Sequence, residues 1–185
     1  MTSIRTGRLV IRPFTLDDAA FILRQLNEPS FVRHIADKGV RDLDGARGYL
    51  RDGPMASYAR HGFGLWCVEL GGAGTPIGMC GLIRRDYLPD IDIGYAFLPE
   101  YGGSGYAYEA AAAVLGHARH VLGVRRVLAI VNEDNAPSIR LLGKLGFEAN
   151  GTVAVPGTER EVRLFAVHLG EAAQAQLAPT GAAGA

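Results

Sequence analysis

The spacing of apolar and polar positions changes several times along the chain, and each change marks an element. Residues 8–13 (Arg-Leu-Val-Ile-Arg-Pro) read as a short strand closed by proline. Asp17 and Asp18 then open a helical stretch in which Ala20, Ile22, Leu23 and Leu26 share one face. Two further helices are expected over 30–36 and 43–60, the second interrupted at Gly53-Pro54, because proline lacks the donor a helix interior needs. From Phe63 the period shortens to that of strands. Residues 63–70 and 76–85 form a pair around Gly71-Gly72-Ala73-Gly74-Thr75, and 90–98 is a third strand. Residues 103–122 are an Ala-rich helix with Ala107, Ala110, Ala111, Val114, Ala118, Val121 and Leu122 in one stripe.

After it, 126–131 is a nearly continuous apolar run of the kind found in buried strands. Residues 135–145 carry helix punctuation at both ends: Asn135 at the start, Pro137 in the first turn, Gly146 just beyond the end. Strands over 148–155 and 160–169, around Pro156-Gly157, close the pattern. The third strand, the long helix and the next strand form one crossover unit, so those two strands should run parallel. The fold class is α+β, a three-layer α/β/α arrangement on a mixed central sheet of about seven strands. Residues 1–170 form one domain, and 171–185, rich in Ala, Gly, Gln and Pro, read as a tail with little to pack.

The 185 residues suffice for one compact domain with a real core. Nineteen basic residues balance nineteen acidic ones, which speaks against electrostatic gripping of nucleic acid or of an anionic membrane. No apolar run approaches the roughly 18 residues of a membrane span, and with no apolar stretch behind the first residues no secretory leader is expected. Two cysteines make neither a disulfide framework nor a zinc site. Cys67 and Cys80 stand at equal distances from the hairpin centre and are expected to face each other as thiols in a reducing compartment. A cytoplasmic protein is expected. The bias toward Arg, Ala and Gly points to a GC-rich bacterial genome.

Two segments carry chemistry. In the first, Gly102-Gly103-Ser104-Gly105-Tyr106-Ala107-Tyr108-Glu109 leads from a buried strand into the long helix. Glycines let a ligand approach the backbone, and the first helical N–H groups have no internal partner, so the loop is either a site for a phosphate or pyrophosphate or an ordinary loop before a helix. Tyr108 breaks a dinucleotide fingerprint, and no Gly-Lys-Ser/Thr follows to make a P-loop. Glu109 in the first turn is accounted for by the helix dipole. In the second segment, Asn135 caps a helix and Ser138 stands three residues on. His117 and His120 are three apart but lack a third ligand, so no metal is expected.

In order and spacing these segments resemble the GCN5-related N-acetyltransferase (GNAT) superfamily, and its branch of ribosomal-protein alanine and serine N-acetyltransferases in particular. The matching pieces are Thr6-Gly7-Arg8-Leu9-Val10-Ile11-Arg12-Pro13, Gly62-Phe63-Gly64-Leu65-Trp66, Ile77-Gly78 with Cys80-Gly81-Leu82, Ile93-Gly94-Tyr95, Gly103-x-Gly105-Tyr106-Ala107-x-Glu109-Ala110, and Asn135-x-x-Ser138-Ile139 through Lys144-Leu145-Gly146-Phe147. The resemblance implies acetyl-CoA as donor, a primary amine as acceptor, and a parallel strand pair that splays apart. Edge groups of Tyr95, Ala96, Phe97 and Leu98 would then hold the pantetheine arm. The pyrophosphate would rest on Gly103, Ser104, Gly105, Tyr106 and Ala107, with Asn135 nearby. Ser104 stands where relatives often have Lys or Arg. Arg140 and Lys144 share a helix face that reaches the adenosine phosphates or simply meets solvent.

The resemblance also assigns candidate catalytic residues: Ser138, Asp92 and Asn135. Many relatives place a tyrosine acid where this chain has Leu142. Ser138 is the replacement candidate, with proton relay from water as the alternative. Asp92 stands where the branch has a glutamate base; the alternative is a solvated hairpin carboxylate. Trp66 and Tyr95 are read as core or channel wall. Three functions stay open: acetylation of a protein N-terminus, acetylation of a small amine, or a non-catalytic acyl-CoA sensor. A homodimer also stays open, since dimers are common in the family.

Overall fold

The computed structural model of the protein describes residues 2–170; the expected tail over 171–185 lies outside them. The elements are β1 (Ile4–Arg5), β2 (Leu9–Pro13), α1 (Ala19–Asn27), α2 (Pro29–His34), α3 (Leu43–Leu50), α4 (Ala56–His61), β3 (Leu65–Leu70), β4 (Pro76–Ile83), β5 (Asp92–Phe97), α5 (Tyr106–His120), β6 (Arg126–Val131), α6 (Ala136–Lys144), β7 (Glu148–Ala154) and β8 (Glu161–His168). They form one mixed sheet in the order β1-β2-β3-β4-β5-β6-β8-β7. It has eight strands where about seven were expected. The extra one, β1, pairs only Ile4 with Ile11 and Arg5 with Val10, too short to leave a period in the sequence. Pro54 does break the α3–α4 stretch, which passes through a π-helical turn at Arg51–Met55.

Helices cover both faces. On one, Ala110, Ala111 and Ala118 of α5 are fully buried against Trp66, Cys80, Leu82 and Ile93, and Leu142 of α6 joins them. On the other, Phe14, Ile22, Leu26, Phe31 and Leu50 pack against Cys67 and Met79. Strand side chains alternate between the faces, which corrects one expectation. Trp66 pairs with Cys80 and Cys67 with Met79, so the two thiols belong to opposite cores and do not face each other. Both are buried, and burial pushes both thiols up in pKa. Among the described residues no helix is long and apolar enough to cross a membrane.

The parallel pair β5–β6 is where the sheet opens. It pairs at Asp92 with Leu128, beside a bond from Leu128 N–H to Ile91 C=O (2.9 Å), and the strands then diverge. On the other side of β5, Leu98 N–H donates to Ile77 C=O (2.9 Å). Backbone groups alternate along an antiparallel ladder. Residues 92, 94, 96 and 98 therefore turn their N–H and C=O groups to β4, while those of 93, 95 and 97 turn toward β6.

Candidate active site

A cavity of about 1100 Å³ opens through this divergence. On the α5–α6 side it meets Tyr95, Phe97, Gly103, Gly105, Tyr106, Ala107, Asn135, Ser138 and Arg140. The alternation narrows the expected strand edge. Tyr95 and Phe97 point backbone groups into the gap. Leu98 does not, because its N–H is bonded to Ile77, and Ala96 shares its orientation. Leu98 is also 2 % exposed, in the core.

The loop before α5 has the conformation its glycines allow. Gly103 and Gly105 have φ of 76° and 81°, values costly for any residue with a Cβ. Gly105 is the N-cap of α5, so the amides of Tyr106, Ala107 and Tyr108 emerge without an intrahelical partner. The loop is held from behind. Arg8 donates from Nε to Glu109 Oε2 (2.6 Å) and from Nη1 to Ser104 C=O (2.9 Å), and its guanidinium lies 4.6 Å from the centre of the Tyr106 ring. Thr6 Oγ1 (2.6 Å) and Arg8 N–H (3.0 Å) donate to Glu109 Oε1. Burial works against the charge of Glu109, yet these bonds hold its carboxyl below the usual pKa. Glu109 is thus more than a dipole complement: it ties the N-terminal hairpin to the loop. Ser104 turns its carbonyl to Arg8 and is exposed outside the cavity wall.

Asn135 caps α6, its Oδ1 accepting from Ser138 N–H (3.2 Å). Ser138 Oγ lies 2.7 Å from the Tyr95 hydroxyl, and either can donate. This contact was invisible in the sequence, where Tyr95 read as wall. Burial pushes the Tyr95 phenol up to about 12, with the bond to Ser138 pulling the other way. Leu142 is 1 % exposed within the core.

Asp92 is on the other face of β5. It is 1 % exposed, which overturns the alternative of a solvated hairpin carboxylate. Arg85 Nε donates to both of its oxygens (3.1 and 3.0 Å). Burial raises the Asp92 pKa, and the charge and bonds of Arg85 temper the rise. Asp92, Ser138 and Asn135 all reach the same cavity, but Asp92 and Ser138 come to it from opposite faces of the sheet. The open β5–β6 seam joins them.

His117 stacks obliquely on Trp66 at 5.2 Å, and burial lowers its pKa. Among the described residues no group of three or more His, Cys, Asp or Glu is placed to hold a metal. Arg140 and Lys144 line the cavity on the exposed face of α6.

A sequence model described as an acetyltransferase (GNAT) domain matches residues 8–148. Among curated proteins, the chain is 26 % identical over 151 residues to an uncharacterized N-acetyltransferase, YoaA, of Bacillus subtilis, covering 81 % of this chain and 85 % of that one. Among solved structures it is similar to an acetyltransferase from Agrobacterium tumefaciens (TM-score 0.76, 23 % identity, 91 % of this chain and 95 % of that one). It is also similar to Mycobacterium smegmatis RimJ in complex with a CoA disulfide (TM-score 0.70, 24 % identity, 95 % and 91 %). The family match spans the Arg8 brace and β2, the glycine loop, the open strand seam and the Asn135–Ser138 cap, and on that ground the chain belongs to the GNAT acetyltransferase family.

Proposed function

We propose that the enzyme moves the acetyl group of acetyl-CoA directly to a primary amine bound with it in the cavity. Acetyl-CoA supplies an activated acyl group as a thioester. The observation that carries the reading is the unpaired edge of β5. Tyr95 and Phe97 offer backbone groups to a gap whose far end reaches the bare amides of the α5 N-terminus. An extended amide-containing arm fits the first and a pyrophosphate the second.

The two faces of β5 divide the proton work. On one, Asp92 takes a proton from the acceptor ammonium, its basicity raised by burial. On the other, Ser138 gives a proton to the departing sulfur and is resupplied through the Tyr95 hydroxyl. The nitrogen–carbonyl bond forms as the carbon–sulfur bond breaks. Of the two protons the ammonium loses, one passes by Asp92 to solvent and the other is balanced by the one that ends on sulfur. Asn135 orients Ser138 through the cap bond. Arg140 meets the adenosine phosphates, and the enzyme works in the cytoplasm.

The test is acetyl-CoA turnover with a panel of amines, read as thiol release. Transfer to an amine with release of one thiol per acetyl group is expected. Tight CoA binding without turnover on any amine or N-terminal peptide would favour a sensor.

A further inference from the structure

Beyond the transferring groups, the acceptor end of the cavity has a chemistry of its own. Lys38, Tyr49, Arg85, Tyr87 and Asp92 line it together. They come from the α2–α3 connection, α3, the β4–β5 loop and the start of β5. Arg85 uses only Nε on Asp92. The Lys38 ammonium and the Tyr49 hydroxyl have no hydrogen-bond partner among the described residues, and the Arg85 guanidinium, held by Asp92 through Nε and lying beside the Tyr87 hydroxyl, keeps N–H groups to spare. The sole carboxylate of the cluster, Asp92, is already bound by Arg85. Asp52, the other carboxylate on the cavity wall, is paired with Arg51.

The electrostatics agree. Desolvation and the charge of Arg85 both lower the Lys38 pKa, so two cations sit close enough to repel with no anion between them. Arg85 also acts on the Tyr49 phenol, opposing the rise that burial causes. A cavity wall with this surplus of positive charge and N–H and O–H donors is complementary to an anion with several acceptor oxygens.

We propose that this wall is an anion-recognition site, and that the amine the enzyme acetylates carries a carboxylate group close to its nitrogen. The proposal rests on the acetyltransfer reading above. The guanidinium is planar and rigid. Arg85 contacts Asp92 directly, so an amine on Asp92 and an anion on the remaining guanidinium edge belong to one compact substrate, as they do in an amino acid. The same charges oppose a polyamine or an aminoglycoside.

The experiment compares each of the twenty L-amino acids with its own carboxamide, alongside spermidine and the peptide amides Glu-Ala-Ala and Gln-Ala-Ala. At least one acid, free or as the glutamyl peptide, should exceed its uncharged counterpart about 100-fold in kcat/KM. Lys38→Glu should reduce that ratio to within a few-fold while leaving acetyl-CoA affinity unchanged. Equal rates on acids and amides, or spermidine as the best acceptor, overturn the proposal. If nothing is acetylated, the transfer reading fails on its own, and the anion site is then read by titrating N-acetyl amino acids and their amides into CoA-loaded protein. Tighter binding of the acids, lost in Lys38→Glu, upholds the site; no discrimination overturns it.

Discussion

The two faces of β5 are built by different means. On the α5–α6 face the cavity wall is largely backbone: the unpaired groups of Tyr95 and Phe97, the glycine loop, the first turn of α5 and the cap of α6. On the α1–α4 face it is side chains, with Asp92, Arg85, Lys38 and two tyrosines brought from four separate segments. A backbone site fits whatever has an extended arm and a pyrophosphate, and so suits a donor. A side-chain site is re-formed by every substitution, and so suits a varying acceptor. The division predicts that substitutions on the two faces will separate donor effects from acceptor effects.

The largest separation is expected at Asp92. Asp92→Asn should lower kcat/KM for the amine by about 100- to 10,000-fold and leave the dissociation constant of acetyl-CoA within a few-fold. The pH profile sharpens this. In the proposed mechanism ionised Asp92 meets the ammonium form of the acceptor, so log kcat/KM should fall with slope one as pH drops through the raised pKa of Asp92. In Asp92→Asn that inflection should vanish, and the residual rate should rise with pH along the acceptor's own ammonium ionisation. Stability runs the other way: the folded state holds this proton more tightly than the unfolded chain. Its contribution therefore declines as pH rises from the ordinary carboxyl value through the raised one. A fall in acetyl-CoA affinity as large as the fall in rate would break the division.

Next comes the hydroxyl pair. Ser138→Ala should lower kcat about 10- to 1000-fold with little change in KM for acetyl-CoA. Loss of packing near the α6 cap is checked by melting temperature on the same sample. Tyr95→Phe should cost less, about tenfold, because it removes the resupply and keeps the donor. Since the phenol stays neutral well above pH 9, Tyr95→Phe should scale the profile without changing its shape below that pH. Leu142→Tyr should not rescue Ser138→Ala. Leu142 is in the core, and overpacking there costs about 1–3 kcal/mol.

A smaller effect is expected behind the loop. Arg8→Gln loosens Glu109 and the Ser104 carbonyl without touching the cavity. It should weaken acetyl-CoA binding about tenfold, or about 1.4 kcal/mol, and leave kcat unchanged. Gly105→Ala is a blunter probe, because at φ of 81° an alanine strains the loop whatever is bound.

The same division explains how much was legible in the sequence. Local signals set the α5–α6 face: glycines before a helix, Asn and Pro at a helix start, a crossover that forces a parallel pair. The element order and the loop were readable from them, since turn and cap chemistry acts over a few residues. The Tyr95–Ser138 contact joins residues 43 apart and the Arg8–Glu109 pair residues 101 apart, distances at which no periodicity survives. Arg85 left a trace in the Arg84-Arg85 doublet just after β4, yet only the fold shows that Arg85 meets Asp92. Cys67 and Cys80 illustrate the opposite error. Symmetry about a hairpin suggested a facing pair, but a register offset of one residue sends them to opposite cores.

Amide-resolved hydrogen exchange, with and without saturating CoA, tests the central claim most directly. The N–H groups of Tyr95 and Phe97 face the open seam, whereas those of Ala96 and Leu98 already point to β4. CoA should slow exchange at Tyr95 and Phe97 and at the α5 amides of Tyr106 and Ala107, and leave Ala96 and Leu98 as they are. Saturation by CoA with no protection at Tyr95 and Phe97 would contradict the account, because the donor would then lie somewhere other than between the parted strands.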